Sequence, residues 1–392
     1  MRKFVIILRH MKTPVRIGLV FDTRSAYARR EVSGVIAYAR SLGLPWIFAG
    51  GDGSATTWRM LRRWQPAGMV GAVPPGAMRN RMLSVVPLAP DPAGAVLLDN
   101  AAIGRLAAEH LTERGFRHLA FVGEKGVNWS AERDEGFQMC WKAGRASHPN
   151  ATFHRLDLAL AHVDDWRPAV GELVGWLRTL PRPVGILACH DLRAREVSQA
   201  CRVASLRVPE EVAIVGVDND DLLCEMTDPP LSSVSVPWDQ IGYHMGAHLH
   251  CLLQGRRQPG HLPVVMPRGI QIRRSSDIYA VADEAVARAC LHLQDHAYEP
   301  LQVEVLARTT GVSRRGLERR FRRELGRSPH VEIQRLRLER ARQLLRETSL
   351  PIAVVAERSG WSSVQRFMVV FKARIGQTPG QFRSSGKFKP LA

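Results

Sequence analysis

One pattern is written twice near the C-terminus, and it leaves that part of the chain few ways to fold. The first copy runs Val305-Leu306-Ala307, Gly311, Leu317, Phe321, Gly326, Pro329; the second runs Val354-Val355-Ala356, Gly360, Phe367, Phe371, Gly376, Pro379. The offset is 49 residues as far as the first glycine and 50 beyond it, so the second turn holds one extra residue. A short helix, a turn at glycine and a second amphipathic helix make a helix-turn-helix unit. Leu317, Phe321 and Leu325 recur at i, i+4 and i+8, as do Phe367, Phe371 and Ile375, and mark the buried face of each second helix. Ala307 and Ala356 are small where two helices must cross closely. Each copy closes on Gly-x-Ser/Thr-Pro, which reads as a C′ glycine, an N-cap hydroxyl and a proline opening the next helix.

Between the copies, residues 331–348 read as one helix with Ile333, Leu336, Arg340 and Leu344 on one side. At 1.5 Å per residue it spans roughly 27 Å, against about 34 Å between adjacent turns of major groove. The outer face of the first copy carries Arg314, Arg315, Arg319, Arg320, Arg322 and Arg323, a residue type suited to phosphate and to guanine. Charge follows the same division. The chain has 392 residues and a net charge of +18, and residues 281–392 hold 21 Lys+Arg against 11 Asp+Glu, more than half of the excess. A double-stranded nucleic acid is the partner this balance predicts.

Residues 283–383 resemble the DNA-binding domain of AraC/XylS-family transcription regulators, through Gly311-Val312-Ser313, Phe321-Arg322-Arg323-Glu324-Leu325-Gly326, Gly360-Trp361, Phe371-Lys372 and Thr378-Pro379. The resemblance implies two helix-turn-helix units entering successive major grooves. It places Arg315, Glu318 and Arg319 at base-facing positions, and the repeat carries these to Gln365, Met368 and Val369. Arg314, Arg322, Arg366 and Lys372 complete the set expected at the DNA. Many relatives carry a basic residue where Val369 stands, so the second head is predicted to discriminate less.

Upstream, short apolar strands alternate with helical stretches from Val15 to about Ser276. Strands are expected at 15–21, 45–49, 69–73, 85–88, 96–98, 118–122, 152–156, 184–189, 212–217, 232–236 and 262–266. Helices are expected at 28–41, 56–64, 102–114, 131–143, 166–179, 192–204 and 238–254. Such βα alternation argues doubly wound, mostly parallel sheets, and about 260 residues of it argue two lobes. Ligands bind beyond the carboxyl ends of such strands, where Asp22-Thr23-Arg24, Glu124 to Trp129, His190-Asp191 and Asp218-Asn219-Asp220 fall.

This half resembles the sensor domain of LacI-type repressors and the periplasmic sugar-binding proteins. The marks are Val96-Leu97-Leu98-Asp99-Asn100, Gly115 to Gly123, residues 208–219 and Leu231-Ser232-Ser233-Val234. A LacI-type sensor ahead of an AraC-type domain is an unusual order that resembles the bacterial xylose-operon regulators; residues 26–29, 129–133, 191–195 and 273–277 support that match. The domains expected are a sensor over 14–276 and a double helix-turn-helix domain over 283–384. The resemblance implies a transcription activator that closes on a small sugar, D-xylose first, forms a homodimer through its sensor and touches RNA polymerase. His190, where a small polar residue is usual, is a departure.

Carboxylates and amides that grip sugar hydroxyls, and rings that cover the C–H face, point to Asp191, Asp218 and Asn219, with Arg133 and Arg195 completing a polar ring and Trp129 stacking. Asp218-Asn219 also suits a plain turn, and Asp99-Asn100 is explained by helix capping. His244, His248 and Cys251 share a helix face at metal-like spacing, but they flank an apolar stripe, so no metal and no cofactor are expected. G-x-G-x-x-G, P-loop, G-x-S-x-G and H-E-x-x-H motifs are absent, which argues against a doubly wound enzyme. Six scattered cysteines without a C-x-x-C pair suit a reduced cytoplasmic protein. The apolar run at Phe4–Leu8 is too short for a signal peptide, and no run suggests a membrane span.

Overall fold

The computed structural model describes residues 14–72, 84–87, 97–145, 149–159, 167–256, 264–299 and 301–385. The N-terminal stretch 1–8 and the expected element ends at Val73, Leu88, Val96, Trp166 and Leu262 lie outside them. Two compact units emerge: residues 1–99 with 236–267, and residues 100–235 with 268–392.

In the first unit, β1 (Val15–Val20), α1 (Ala26–Ser41), β2 (Trp46–Gly51), α2 (Ala55–Trp64), β3 (Gly68–Gly71) and β4 (Ser84–Pro87) build a parallel sheet in the order β2-β1-β3-β4. β1 turns inward through Ile17, Leu19 and Val20, which are buried. The helix Trp238–Leu253 returns to this unit and packs on α1. Glycine allows that crossing: a Cβ on Gly34 would lie 2.1 Å from the Asp239 carbonyl oxygen. His248 is buried on the returning helix, and burial lowers the pKa of both His244 and His248. Among the described residues no group of three side chains is placed to hold a metal.

The second unit continues the numbering after β5 (Leu97–Leu98) of the first: α3 (Asn100–Glu113), β6 (His118–Glu124), α4 (Asn128–Arg145), β7 (Phe153–Leu158), α5 (Arg167–Leu177), β8 (Val184–Ala188), α6 (Asp191–Val203), β9 (Val212–Val217), α7 (Asp221–Met226) and β10 (Ser232–Ser235). The returning helix is α8, followed by β11 (Val264–Val265) and β12 (Gly269–Gln271). The sheet order is β12-β10-β9-β8-β6-β7, parallel except where the edge strand β12 runs antiparallel to β10. β8 and β9 are buried at every position, as central strands covered on both faces must be. The strands and helices therefore fall where the alternation predicts them. The short helix α7, six residues long, is an addition to the expected elements.

The helical region forms two cores on one long helix. α9 (Glu284–His296), α10 (Val303–Thr310), α11 (Arg314–Leu325) and the first half of α12 (Pro329–Glu347) bury Val286, Leu293, Leu306, Leu317, Phe321, Ile333 and Leu336 together. The second half of α12 buries Leu338, Ala341, Leu344 and Leu345 with Val355 and Ala356 of α13 (Ile352–Arg358), and with Phe367 and Phe371 of α14 (Val364–Ile375). Ser313, Ser328 and Ser363 accept from the first-turn amides of α11, α12 and α14, and Gly326 and Gly376 end α11 and α14 in the left-handed region. The extra residue of the second turn lies between Gly360 and the cap Ser363, one more than between Gly311 and Ser313. Thr378 and Gln381 cap α15 (Pro379–Ser385) reciprocally.

Candidate sugar site and nucleic-acid interface

At the end of β9 the backbone enters a conformation that L-residues rarely take. Asp218 has φ +107° and Asn219 φ +50°. A non-glycine residue in that region costs of order 1–3 kcal/mol and persists only where its surroundings hold it. Here the Asp218 amide donates to Val234 O (3.0 Å), the Asn219 amide to Ser233 Oγ (3.0 Å) and the Asp220 amide to Asp191 Oδ2 (2.8 Å). Ser233 in turn donates to Asp191 Oδ1 at 2.6 Å. Asp191 is 2% exposed, and the thiol of Cys224 also donates to it. Burial and the Asp218 carboxylate push its pKa up to about 7, against the donors that favour its charge. The expected role of Asp191 is a sugar contact; its observed contacts are those of a frame that holds the strained turn.

Arg133, on α4, is buried. Its Nε donates to Asn100 Oδ1 at 3.0 Å, and its Nη1 donates to the Cys189 carbonyl. Burial lowers its pKa, and among the groups opposing this the Asp218 carboxylate acts most strongly. Its guanidinium carbon lies 4.8 Å from the Trp129 ring centroid, so Arg133 covers part of the ring expected to stack on a sugar. Asn100, explained from sequence as a helix cap, also holds Glu132 at 2.8 Å. The Asn219 side-chain oxygen accepts from Arg273 Nη1 at 2.9 Å.

His190 Nδ1 accepts the Arg193 amide at 3.0 Å, capping α6, and its Nε2 meets Glu124 at 2.9 Å. Burial acts to lower its pKa, while Cys189 and Glu124 raise it, to about 10. The Arg193 amide needs Nδ1 as an acceptor, so the ring proton that meets Glu124 sits on Nε2. Arg195 is half-buried on α6, and its neighbour Arg193 is the arginine that joins the cluster, fully buried between Glu124 (3.5 Å) and Glu196 (2.5 Å). The signal in the sequence is an opposite-charge i,i+3 pair set among Ala194, Val197 and Ala200, the buried face of α6.

In the helical region, Ser313, Arg315, Gly316, Glu318, Arg319 and Arg322 line one shallow surface cleft. Arg315, Arg319 and Arg322 are exposed and Glu318 half-buried. Arg314 is exposed but ion-paired with Glu304 and Glu318. Arg320, half-buried, and Arg323, exposed, are both ion-paired within the domain. Both bind Asp283, the N-cap of α9, at 3.0 and 2.7 Å, and so staple α11 to α9. On α14, Gln365, Arg366, Met368, Val369 and Lys372 are exposed; Met368 and Val369, at 45% and 69%, are apolar side chains with no core to enter.

Residues 108–276 match the periplasmic binding protein-like domain family, and residues 306–385 match a helix-turn-helix domain family. The xylose operon regulatory protein of Escherichia coli K12 is 31% identical over 384 residues, covering 94% of this chain and 96% of the relative. That of Haemophilus influenzae is 32% identical over 292 residues, 74% of each chain. Among solved structures, a xylose-binding transcription activator superposes with a TM-score of 0.53 at 29% identity, covering 96% of this chain and all of that one. A complex of a transcriptional regulator with cellobiose has the same TM-score at 21% identity over 67% of this chain and 84% of the other, a likeness of fold. The chain belongs to the xylose operon regulatory protein family: transcription regulators, not enzymes, that join a periplasmic-binding-like sensor to an AraC-type DNA-binding domain.

Proposed function

We propose that this regulator is a cytoplasmic, homodimeric activator whose effector is D-xylose and which contacts RNA polymerase at its operator. The observation that carries the effector is the strained Asp218 carboxylate beside buried Arg133, in a chain that aligns along almost its whole length with relatives named for xylose. In this reading Asp218, Asn219, Arg133 and the uncovered part of Trp129 meet the sugar. Asp191 holds the turn, and Arg195 contributes from the rim of α6. A carboxylate and a guanidinium on adjacent hydroxyls give the charge-assisted hydrogen bonds that a small polyol requires. At the DNA, Arg315, Glu318 and Arg319 read bases, Gln365, Met368 and Val369 make the second, weaker reading, and Arg314, Arg322, Arg366 and Lys372 serve the phosphates.

Titration calorimetry of the whole protein against D-xylose, L-arabinose, D-ribose, D-glucose and D-galactose tests the effector. D-xylose is expected to bind at least tenfold more tightly than the others. A stronger heat of binding from another sugar at lower concentration would replace xylose as the effector.

A further inference from the structure

α3 is gripped at both ends, and the two grips belong to different activities. At its start, Asn100 holds Nε of Arg133. At two crossings in its first half it meets α4 backbone to backbone. A Cβ on Gly104 would lie 2.0 Å from the Arg133 carbonyl oxygen, and one on Gly136 would lie 2.0 Å from that of Ala101. The two backbones therefore touch at Arg133 itself, and packing this close transmits displacement rather than absorbing it.

The far end of α3 meets the helical region. Arg327 donates to the Glu113 carbonyl, and Arg335 Nη1 reaches the Glu113 carboxylate at 3.3 Å. The Ala280 amide donates to the Arg114 carbonyl at 2.7 Å. His110 joins Ser276 Oγ at 2.8 Å and accepts from Arg114 at its other nitrogen, 3.1 Å away. Behind these lies a buried cage. Glu332 is fully buried and takes Arg327, Arg335 and the Tyr279 hydroxyl, and Arg335 also binds Tyr279 (3.0 Å) and Glu339. Glu332, Arg335 and Glu339 are residues of α12, the helix whose two halves fill the cores of the two DNA-reading modules. The segment between the sensor and the helical region is thus pinned: Ser275 bonds β9 and β10 through Ile214 O (2.7 Å) and the Ser232 amide (2.8 Å), and Tyr279 is buried in the cage.

We propose that α3 is the strut that couples the two activities: Arg133, displaced when sugar binds, moves α3, and Glu113–Arg114 deliver that movement through the Glu332 cage to α12. The proposal rests on the sugar reading of Arg133 given above. Fourteen residues at 1.5 Å each make the strut about 21 Å long. Its output is the tilt of the one helix shared by both recognition modules, so a small rotation changes how well the pair fits one operator.

Glu113→Gln and Arg335→Met test it in the full-length protein. Neither residue touches the sugar-site cluster or the exposed faces of α11 and α14. D-xylose affinity without DNA and operator affinity without sugar should each stay within about threefold of the parent. The factor by which saturating D-xylose changes operator affinity should fall below about twofold in Arg335→Met, and by a lesser amount in Glu113→Gln. Hydrogen exchange of the parent, with and without D-xylose, supplies a readout that needs no variant: protection should change in both 110–117 and 329–347. An unaltered coupling factor in a folded Arg335→Met, or exchange changes that stop at α4, would overturn the strut. Failure of the parent to bind D-xylose would instead overturn the effector reading on which it stands.

Discussion

Asp218 is held in a conformation that glycine would take without strain, and glycine cannot grip a hydroxyl. In the proposed reading stability and function therefore oppose each other at this residue. Asp218→Gly should raise the stability of its unit by about 1 kcal/mol and weaken sugar binding as much as loss of the carboxylate does in the alanine variant. Asp218→Ala keeps the strain and should lose about 2–3 kcal/mol of D-xylose affinity, the worth of a charged hydrogen-bonding group. Urea unfolding and calorimetry on the two variants check this, and equal stabilities for both would remove the strain from the account. Composition cannot separate the two readings, because Asp-Asn suits an ordinary turn as well as a ligand; the backbone angle at Asp218 is what supports the ligand reading. Arg193 is hidden for a related reason: beside Glu196 it reads as a solvated i,i+3 pair until burial is known. Glu332 makes the opposite case. Burial acts to raise its pKa, but Arg335 and Arg327 overcome this and hold it at about 2, with Tyr279 also against it. A depressed carboxylate stabilises the fold above its unfolded value of about 4.5 and loses that contribution as pH falls towards 2. The unit should lose about 3 kcal/mol across that window from this group. Glu332→Gln should lack that part of the acid slope and be less stable at pH 7, where half-buried Arg327 loses its carboxylate partner and Arg335 keeps only those of Glu339 and Glu113. An unchanged slope between pH 5 and 2 would place the acid sensitivity elsewhere.

At the scale of elements, α11 and α14 are copies with different surfaces. α11 buries Leu317, Phe321 and Leu325, α14 buries Phe367 and Phe371, and each helix is capped by serine. α11 presents Arg315, Glu318 and Arg319, while α14 presents Gln365, Met368 and Val369. Base substitutions under α11 should cost about 1–3 kcal/mol each, and Arg319→Ala should flatten the preference at one position. Substitutions under α14 should cost less, with Arg366 and Lys372 positioning it on the backbone. A base-by-base scan of one half-site at fixed salt measures this, and equal penalties under both helices would contradict it. These helices were legible because periodicity, caps and repetition agree over 80 residues. Which arginines are tied within the fold was not: Arg320 and Arg323 are held by Asp283, nearly 40 residues earlier in the chain, and no local pattern reveals such a partner. The same limit applies to the segment 268–279, whose polar residues look solvated but bond strands and helices distant in sequence.

For the whole molecule, the grouping of residues 100–235 with 268–392 in one compact unit matters most, because it puts part of the sensor and both DNA-reading modules on one packed body. The two activities were legible separately, from the duplicated helices and from the βα alternation. Their connection was not, since it depends on contacts such as Glu113 with Arg335 across 222 residues. A regulator built this way must obey linkage: a ligand shifts the DNA-binding state only through its different affinity for the two states, and the effect is reciprocal. The most direct measurement is therefore a pair of affinities on the full-length protein at one salt concentration: operator duplex with and without saturating D-xylose, and D-xylose with and without saturating operator. The account predicts the same factor from both, within the 5- to 150-fold range usual for allosteric coupling. Operator affinity that is identical with and without the sugar would contradict it.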